Sequence, residues 1–274
     1  MYKSGEKNMG TAATRAKNKL VKMSCDEFVS LVAELKEYNN TRSEYQMKSN
    51  RHNDSHAEQV LGSLLDNVFY NKVKKLIQER LSANSIEWKR VSDKELQYKG
   101  IDGIIKIDDK ELVIDEKAAL DYLTQELNTF AFEISYLNDF NDEVPGWYVK
   151  EGLDTDYYLL VWPRSQNNDL KYLRQEDFTS AEIAFINKKI LIEKINKKVD
   201  GSHLFEYAKQ MRYIYSMSEK KEYDTINNVF LVYSGQKSEK SINYLVSKQE
   251  LLQIAEIYAV YDGETTEFVK FELG

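Results

Sequence analysis

The chain of 274 residues predicts an α/β or α+β fold in which a central mixed β-sheet is flanked by helices. Three observations support this class. Helical and strand patterns alternate along the chain, one unbroken apolar run suits a strand buried on both faces, and 42% hydrophobic residues allow a substantial core. The 11 Gly and 2 Pro exclude collagen-like and linker-rich chains.

The length favours one elaborated domain rather than two. We expect a flexible basic arm at 1–22 and a single domain at 23–274, with its core at about 52–163 and a C-terminal elaboration at 164–274. The arm carries six Lys or Arg against one Glu, whereas 93–143 carries fourteen acids against five lysines. This separation of basic and acidic residues is typical of a protein that binds phosphate and metal at different places, although solvated surfaces would give the same pattern.

The first part of the chain predicts helices followed by strands. Apolar residues recur at helical spacing from Phe28 to Leu35, and a long amphipathic helix is predicted at 56–81, acidic at its start and basic at its end. The spacing of the apolar residues then changes from that of helices to that of strands. Three short runs, IEWKRV, IDGIIKI and ELVIDEKAA, predict an antiparallel meander that leads into a central strand.

The second part alternates helices with strands. Helices are predicted at 121–138, 178–198, 203–217 and 248–260, and strands at 157–163, 227–234 and 242–247. Thr179 and Glu182 form a capping-box pattern at the start of the second of these helices. The strand at 157–163, YYLLVWP, is apolar throughout, which predicts burial on both faces.

The expected location is the cytoplasm. No apolar stretch approaches the roughly 18 to 20 residues that span a bilayer, and the N-terminus has no apolar run typical of a signal peptide. The single cysteine, Cys25, cannot form an intrachain disulfide, which points to a reducing compartment. We therefore expect no membrane partner.

The stretch most informative about chemistry runs from the second to the third predicted strand of the meander. Residues two apart on a strand face the same way, so Asp115 and Lys117 share one face and Glu116 points to the other. Asp102 precedes Asp115 by thirteen residues, on the neighbouring strand of the predicted hairpin. Cross-strand neighbours lie roughly 4.5 to 5.5 Å apart, so the two carboxylates can share one divalent ion. Such oxygen ligands select Mg²⁺ or Mn²⁺ over Zn²⁺.

Two interpretations of these residues are open. Asp115 and Lys117 could form a structural salt bridge at a strand end. Alternatively, Asp102, Asp115 and Glu58 hold a metal ion that polarises a phosphodiester, while Lys117 orients the attacking water or contacts the scissile phosphate. The second interpretation predicts all four as catalytic residues and the three acids as metal ligands.

The array of Asp102, a hairpin turn and then Asp115-Glu116-Lys117 resembles the PD-(D/E)xK nuclease superfamily, which includes many restriction endonucleases. In that motif an Asp begins the second core strand and an acid-x-Lys triplet lies on the third. Asp102 matches the first Asp, Asp115 the acid and Lys117 the lysine. Ile101 stands where the motif has Pro, and the acid is Asp rather than Glu; both variations occur in the motif.

The order of elements extends this resemblance over roughly 52–163. The family places an acidic helix before the meander, a helix after the acid-x-Lys strand, and then another strand. Here the first helix is HAEQVLGSLLDNVF with Glu58 in its first turn, the next is TQELNTFAFEI, and the strand is YYLLVWP.

The resemblance implies a restriction-endonuclease-like core and a Mg²⁺-dependent endonuclease that hydrolyses DNA phosphodiester bonds, with Mn²⁺ able to substitute. It is most like a bacterial Type II restriction endonuclease, which implies a homodimer acting on double-stranded DNA. Two alternatives stay open. One is a noncatalytic nucleic-acid-binding or assembly protein that keeps the nuclease fold but has an ion pair at the position of the catalytic site. The other is a repair or RNA nuclease of the same superfamily.

Other polar residues are open to functional and ordinary interpretations. Glu133 could approach the site if its predicted helix packs against the Asp115 strand, or it could be an amphipathic-helix acid. Whether Glu116 joins the site is also open. His52 and His56 lie four apart, but without Cys partners or a third His they are more typical of cap or surface residues.

Overall fold

The computed structural model describes residues 51–216, 221–226, 229–237 and 239–273. The predicted basic arm at 1–22 and the predicted helix from Phe28 to Leu35 lie outside the described residues.

The described helices precede, interrupt and follow the strands. They are α1 (Arg51–Leu65), α2 (Asn71–Leu81), α3 (Lys94–Gln97), α4 (Lys188–Asn196), α5 (Leu204–Tyr215) and α6 (Lys248–Ile254). A π-helical turn, Asp66–Tyr70, joins α1 to α2.

The strands fall into two sheets. They are β1 (Ile86–Arg90), β2 (Gly103–Ile107), β3 (Lys110–Ala118), β4 (Thr129–Leu137), β5 (Glu143–Pro145), β6 (Tyr157–Ser165), β7 (Phe178–Asn187), β8 (Lys221–Ile226), β9 (Val229–Ser234), β10 (Ile242–Ser247), β11 (Ile257–Tyr261) and β12 (Thr266–Phe271). The first sheet has the order β1-β2-β3-β6-β7-β11-β12, and the second has the order β5-β4-β10-β9-β8.

The first sheet is mixed. Its strands β3 and β6 run parallel, and its other neighbours pair antiparallel. The predicted meander is present as β1, β2 and β3, and helices flank the sheet. The predicted α/β or α+β class with a central mixed sheet is therefore confirmed.

One face of the first sheet is covered by α1, the π-helical turn and α2. The predicted helix at 56–81 is confirmed as this helical segment. Its buried residues recur three or four apart, from Leu61 and Leu65 through Phe69 to Val73 and Ile77, which places one apolar stripe against the strands.

The other face of the first sheet packs against the second sheet and against α4 and α5. Strand β6 shows both environments: Tyr157, Leu159 and Val161 belong to the core under α1 and α2, whereas its alternate residues belong to the core between the sheets. This alternation confirms the predicted strand at 157–163 and its burial on both faces.

Three predicted helices are wrong in whole or in part. The segment predicted as a helix at 121–138 contains β4, in which Phe130, Phe132 and Ile134 are buried at a period of two and β10 supplies the hydrogen-bonding partner. The helix that the resemblance to PD-(D/E)xK nucleases requires between the acid-x-Lys strand and β6 is therefore a strand here.

The other two errors have the same form. In 178–198, β7 occupies the first ten residues and α4 begins only at Lys188, where the Asn187 side chain caps it by accepting from two backbone N–H groups. The predicted capping box at Thr179 is inside the strand. In 248–260, α6 ends at Ile254 and β11 follows, paired with β7 on one side and β12 on the other.

An ion-pair network ties the helical layer to the meander. Arg90 of β1 contacts Asp66 at 2.8 Å and Glu116 of β3 at 2.9 Å. The Tyr70 hydroxyl donates to Glu116 at 2.7 Å, and the Trp88 indole N–H donates to Asp66 at 2.9 Å. Burial raises the pKa of Glu116, so its charged form depends on Arg90.

We predict that Arg90→Met destabilises the fold by about 3 kcal/mol, because it leaves two carboxylates near the core without their cation. Urea denaturation followed by circular dichroism measures the free energy of unfolding. The matched control is Arg174→Met, since the Arg174 side chain is 75% exposed and makes one long contact at 3.8 Å. A similar, small change in both variants would show that the network is not needed for stability.

Candidate functional site

Strands β2 and β3 bring Asp102 and Asp115 together. Gly103 pairs with Ile114, so the antiparallel register places Asp102, one residue before β2, opposite Asp115. The Asp102 N–H donates to Ile114 O at 2.8 Å, and the Asp102 carboxylate accepts from the Glu116 N–H at 2.8 Å. The predicted hairpin and the cross-strand arrangement of the two acids are both present.

Asp115 and Lys117 lie on the face of β3 that looks toward the second sheet. Asp115 is 1% exposed, and the Lys117 ammonium donates to its Oδ1. The same ammonium lies 3.4 Å from Glu116 O and 5.5 Å from the centre of the Trp147 ring. The predicted sharing of one face by Asp115 and Lys117 is confirmed.

One carboxylate oxygen at the centre of this group has no hydrogen-bond partner. Asp115 Oδ2 is buried and receives no donor from the protein. A buried acceptor without a donor costs roughly 1 to 3 kcal/mol, more when it is charged. Its cross-strand neighbour, Asp102, is another carboxylate: it repels an ionised Asp115 and shares a hydrogen bond with it only when one of the two carries a proton. A cation bound between the two acids would satisfy both groups.

Gly100 keeps the space beside this oxygen open. Its φ of +75° is in the left-handed region. A Cβ added there would lie 2.4 Å from Thr155 Oγ1 and 3.3 Å from Asp115 Oδ2. The Thr155 hydroxyl donates to Gly100 O at 2.9 Å, which holds the loop in this position.

The pKa values of the site reflect burial and the closeness of like charges. Burial raises the pKa of Asp115 to about 6, and the Asp102 charge adds to the rise while Lys117 opposes it. For Lys117, burial acts to lower the pKa, but Asp115 and Asp102 outweigh burial and raise it. Lys117 is therefore positively charged at neutral pH.

The groups that could hold a hard cation here are the carboxylates of Asp102 and Asp115, with a backbone carbonyl near them. Asp102 and Asp115 lie opposite each other on paired strands, and Glu116 O lies 3.4 Å from the Lys117 ammonium that contacts Asp115. Throughout 51–216, 221–226, 229–237 and 239–273, no three His, Cys, Asp or Glu side chains are grouped closely enough to hold a metal by themselves. Water would have to complete the coordination, as is usual for Mg²⁺.

Glu58, the third predicted ligand, is exposed on α1. Its charge contributes to raising the pKa of Lys117, so it lies within electrostatic reach of that group. Its role as a ligand stays a prediction. Asp102 and Asp115 form the closer pair.

Glu116 and Glu133, whose part in the site the sequence does not decide, have different surroundings. The Glu116 side chain points away from Asp115 and is occupied by Arg90 and Tyr70. Glu133 lies on β4 rather than on a helix, within electrostatic reach of Lys117. Burial and the Glu239 charge raise its pKa to about 7, while Lys117 acts in the opposite direction.

Trp147 is a residue of the site that no sequence pattern indicated. It follows β5, packs against Phe132 and Tyr158, and brings its ring near the Lys117 ammonium. Its backbone also contributes a hydrogen bond to Glu133. No local motif announces it, because the loop reaches the site only after β4 has formed in the second sheet.

His56 has an ordinary structural role: its Nε2 lies 3.0 Å from Leu173 O. The side chain of His52 lies outside the described part of the structure.

Comparisons of the chain with protein-family models, with curated proteins and with solved structures find no match. Among the described helices, none is both long and apolar enough to cross a membrane.

The raised pKa of Asp115 predicts a pH-dependent stability difference between the protein and its Asp115→Asn variant. A carboxyl whose pKa is higher in the folded state stabilises the fold at low pH and loses that contribution as pH rises through the folded value of about 6. Relative to wild type, Asp115→Asn should therefore gain about 2 kcal/mol in free energy of unfolding between about pH 4 and pH 7.

Urea denaturation of both proteins in metal-free buffers measures this difference. Asp109→Asn, at an exposed position in the β2–β3 turn, is the control and should track wild type at every pH. A difference between wild type and Asp115→Asn that stays constant with pH would contradict the raised pKa.

Proposed function

We propose that the chain is a Mg²⁺-dependent endonuclease that hydrolyses DNA phosphodiester bonds, with Asp102, Asp115 and Lys117 as its catalytic residues. The observation that supports it most is the buried, unpartnered Oδ2 of Asp115, which faces a second carboxylate across two paired strands. A strand end that holds two acids and one lysine in this way has the charges that phosphodiester hydrolysis requires.

Each residue has a distinct part in this proposal. Asp102 and Asp115 would hold the ion, which when bound supplies positive charge to the phosphate and acidity to a coordinated water. The backbone N–H of Glu116 fixes the Asp102 carboxylate. Lys117 is 24% exposed, so its ammonium can exchange its contact with Asp115 for the nonbridging oxygen or the attacking water. The P–O bond breaks as the water oxygen bonds to phosphorus; the proton that the attacking water loses passes to bulk water, and the leaving oxygen takes up a proton from bulk water.

A bacterial Type II restriction endonuclease is the form of this function that we favour. It would act as a homodimer on double-stranded DNA, since two copies related by a two-fold axis place one site on each strand. This part of the proposal, like the restriction-endonuclease-like core, is supported by the motif and by the helix–meander order. The strand β4 between β3 and β6 is a departure from that order.

We predict that the wild-type protein nicks or linearises plasmid DNA with Mg²⁺ or Mn²⁺, and that EDTA stops the reaction. Asp102→Asn and Asp115→Asn should abolish cleavage while the proteins stay folded, because Asn keeps the shape of the side chain and loses the charge. Asp109→Asn is the exposed control on the same hairpin. Equal cleavage by wild type and Asp115→Asn would overturn the site.

For Lys117→Met we predict near-normal DNA binding and a single-turnover rate lower by two orders of magnitude or more, equivalent to about 2.7 kcal/mol of barrier. Lys106→Met, on an exposed position of β2, is the control. A solvated structural bridge would contribute only about 0 to 1 kcal/mol to stability. A Lys117→Met protein that cuts within a few-fold of wild type would return the lysine to that structural role.

Binding of DNA without cleavage under several divalent ions would support the noncatalytic alternative instead. The ion pair between Lys117 and Asp115 is the observation that favours it, because the pair partly neutralises the buried acid without a metal.

A further inference from the structure

A cavity of about 440 Å³ lies further along the face of the first sheet that carries Asp115 and Lys117. Ala119, which lines it, is two residues beyond Lys117, and Trp162 is two residues beyond Leu160, the β6 partner of Lys117. At about 3.3 Å per strand residue, the cavity begins roughly 7 Å from the lysine along β3. Its volume is within the range of cavities that enclose small ligands.

Arg164 is a cation of this cavity whose side chain has no partner among the described residues. It is half-buried, and no ion pair or hydrogen bond joins its side chain to another described residue. The other cation, Lys248, is 2.5 Å from Glu182, whose second oxygen accepts from the Tyr258 hydroxyl at 2.9 Å. A guanidinium held in a cavity without a partner is suited to a planar, bidentate anion such as phosphate.

An indole ring is fixed beside this arginine. The Trp162 N–H donates to Thr129 O at 2.9 Å, and Phe130 packs edge-on against the ring with 5.2 Å between centroids. Gln125 and Thr179 add hydrogen-bonding groups to the cavity lining. Trp162 is 4% exposed, so its ring forms an apolar wall of the cavity rather than an open stacking surface, and the polar groups can hydrogen-bond to the edge of a base.

We propose that this cavity is a nucleotide-binding subsite, in which Arg164 binds the phosphate and the cavity beside Trp162 encloses the base. The inference deepens the proposed function and rests on it for the source of the nucleotide, which is a unit of the cleaved chain next to the scissile phosphate. A free nucleotide carries the same chemistry, so the test includes both sources.

Equilibrium binding in EDTA tests the subsite without cleavage. The probes are the nucleoside 5′-monophosphates and a fluorescent single-stranded oligonucleotide. Arg164→Ala removes the anion contact, and Thr179→Tyr fills the cavity from an exposed position, which keeps the test valid if Arg164→Ala fails to fold. Arg174→Ala, a mainly exposed arginine outside the cavity, is the matched control.

The expected result is at least a tenfold weaker affinity in both cavity variants and an unchanged affinity in Arg174→Ala. A loss for the monophosphates identifies a free nucleotide, whereas a loss for the oligonucleotide alone identifies a unit of the chain. Unchanged affinity in both variants, or no binding of either probe to wild type, overturns the subsite.

The failures of the subsite and of the proposed function are distinguishable. Wild-type protein that shows the expected binding pattern but never cleaves DNA with Mg²⁺ overturns the nuclease and leaves the nucleotide subsite in place. Wild-type protein that cleaves DNA while both cavity variants bind the probes normally overturns the subsite alone.

Discussion

The position of β3 between two different neighbours is the constraint on which the site depends. Antiparallel β2 pairs with its first half, and parallel β6 pairs with its second half from Ile114 onward. The change of partner places Asp102, just before the start of the short strand β2, beside Asp115, while Lys117 pairs with Leu160 of β6 in the centre of the sheet. Both the acids and the lysine are therefore held by backbone pairing rather than by a loop.

Two carboxylates follow one another on β3, the buried Asp115 and the half-buried Glu116, and their surroundings differ. Glu116 meets a bidentate arginine and a tyrosine hydroxyl on the helical side, so its burial is compensated. Asp115, on the opposite face, has Lys117 on one oxygen only, and its nearest acid is Asp102. This difference between neighbouring residues of one strand is the physical reason to regard Glu116 as a structural group and Asp115 as a binding group.

The sequence predicted the parts of the fold in which local and tertiary preferences agree. The helix at 56–81, the meander and the strand at 157–163 all combine a clear period with matching neighbours. The segment TFAFEIS was misinterpreted because its apolar residues fit a helix and a strand over a short window, and only the pairing of β4 with β10 decides between them. The same ambiguity misplaced the start of α4 and the end of α6.

The candidate site was predictable where it depends on strand alternation and unpredictable where it depends on the second sheet. Asp115, Lys117 and Asp102 follow from a period of two and one hairpin. Trp147 and the cavity at Arg164 lie on the same side of the first sheet, and Glu133 lies within electrostatic reach of Lys117; all three depend on β4, β7 or the loop after β5, which are distant in sequence. No spacing rule connects them to the motif.

Binding of Mn²⁺, followed by electron paramagnetic resonance at neutral pH, tests most directly whether the Asp102–Asp115 pair is a cation site. We expect that wild-type protein binds Mn²⁺, that Mg²⁺ displaces it, and that Asp115→Asn abolishes the bound signal while Asp109→Asn retains it. Wild-type protein that leaves Mn²⁺ free in solution, or an Asp115→Asn variant that binds it equally well, would show that the two acids are not a cation site.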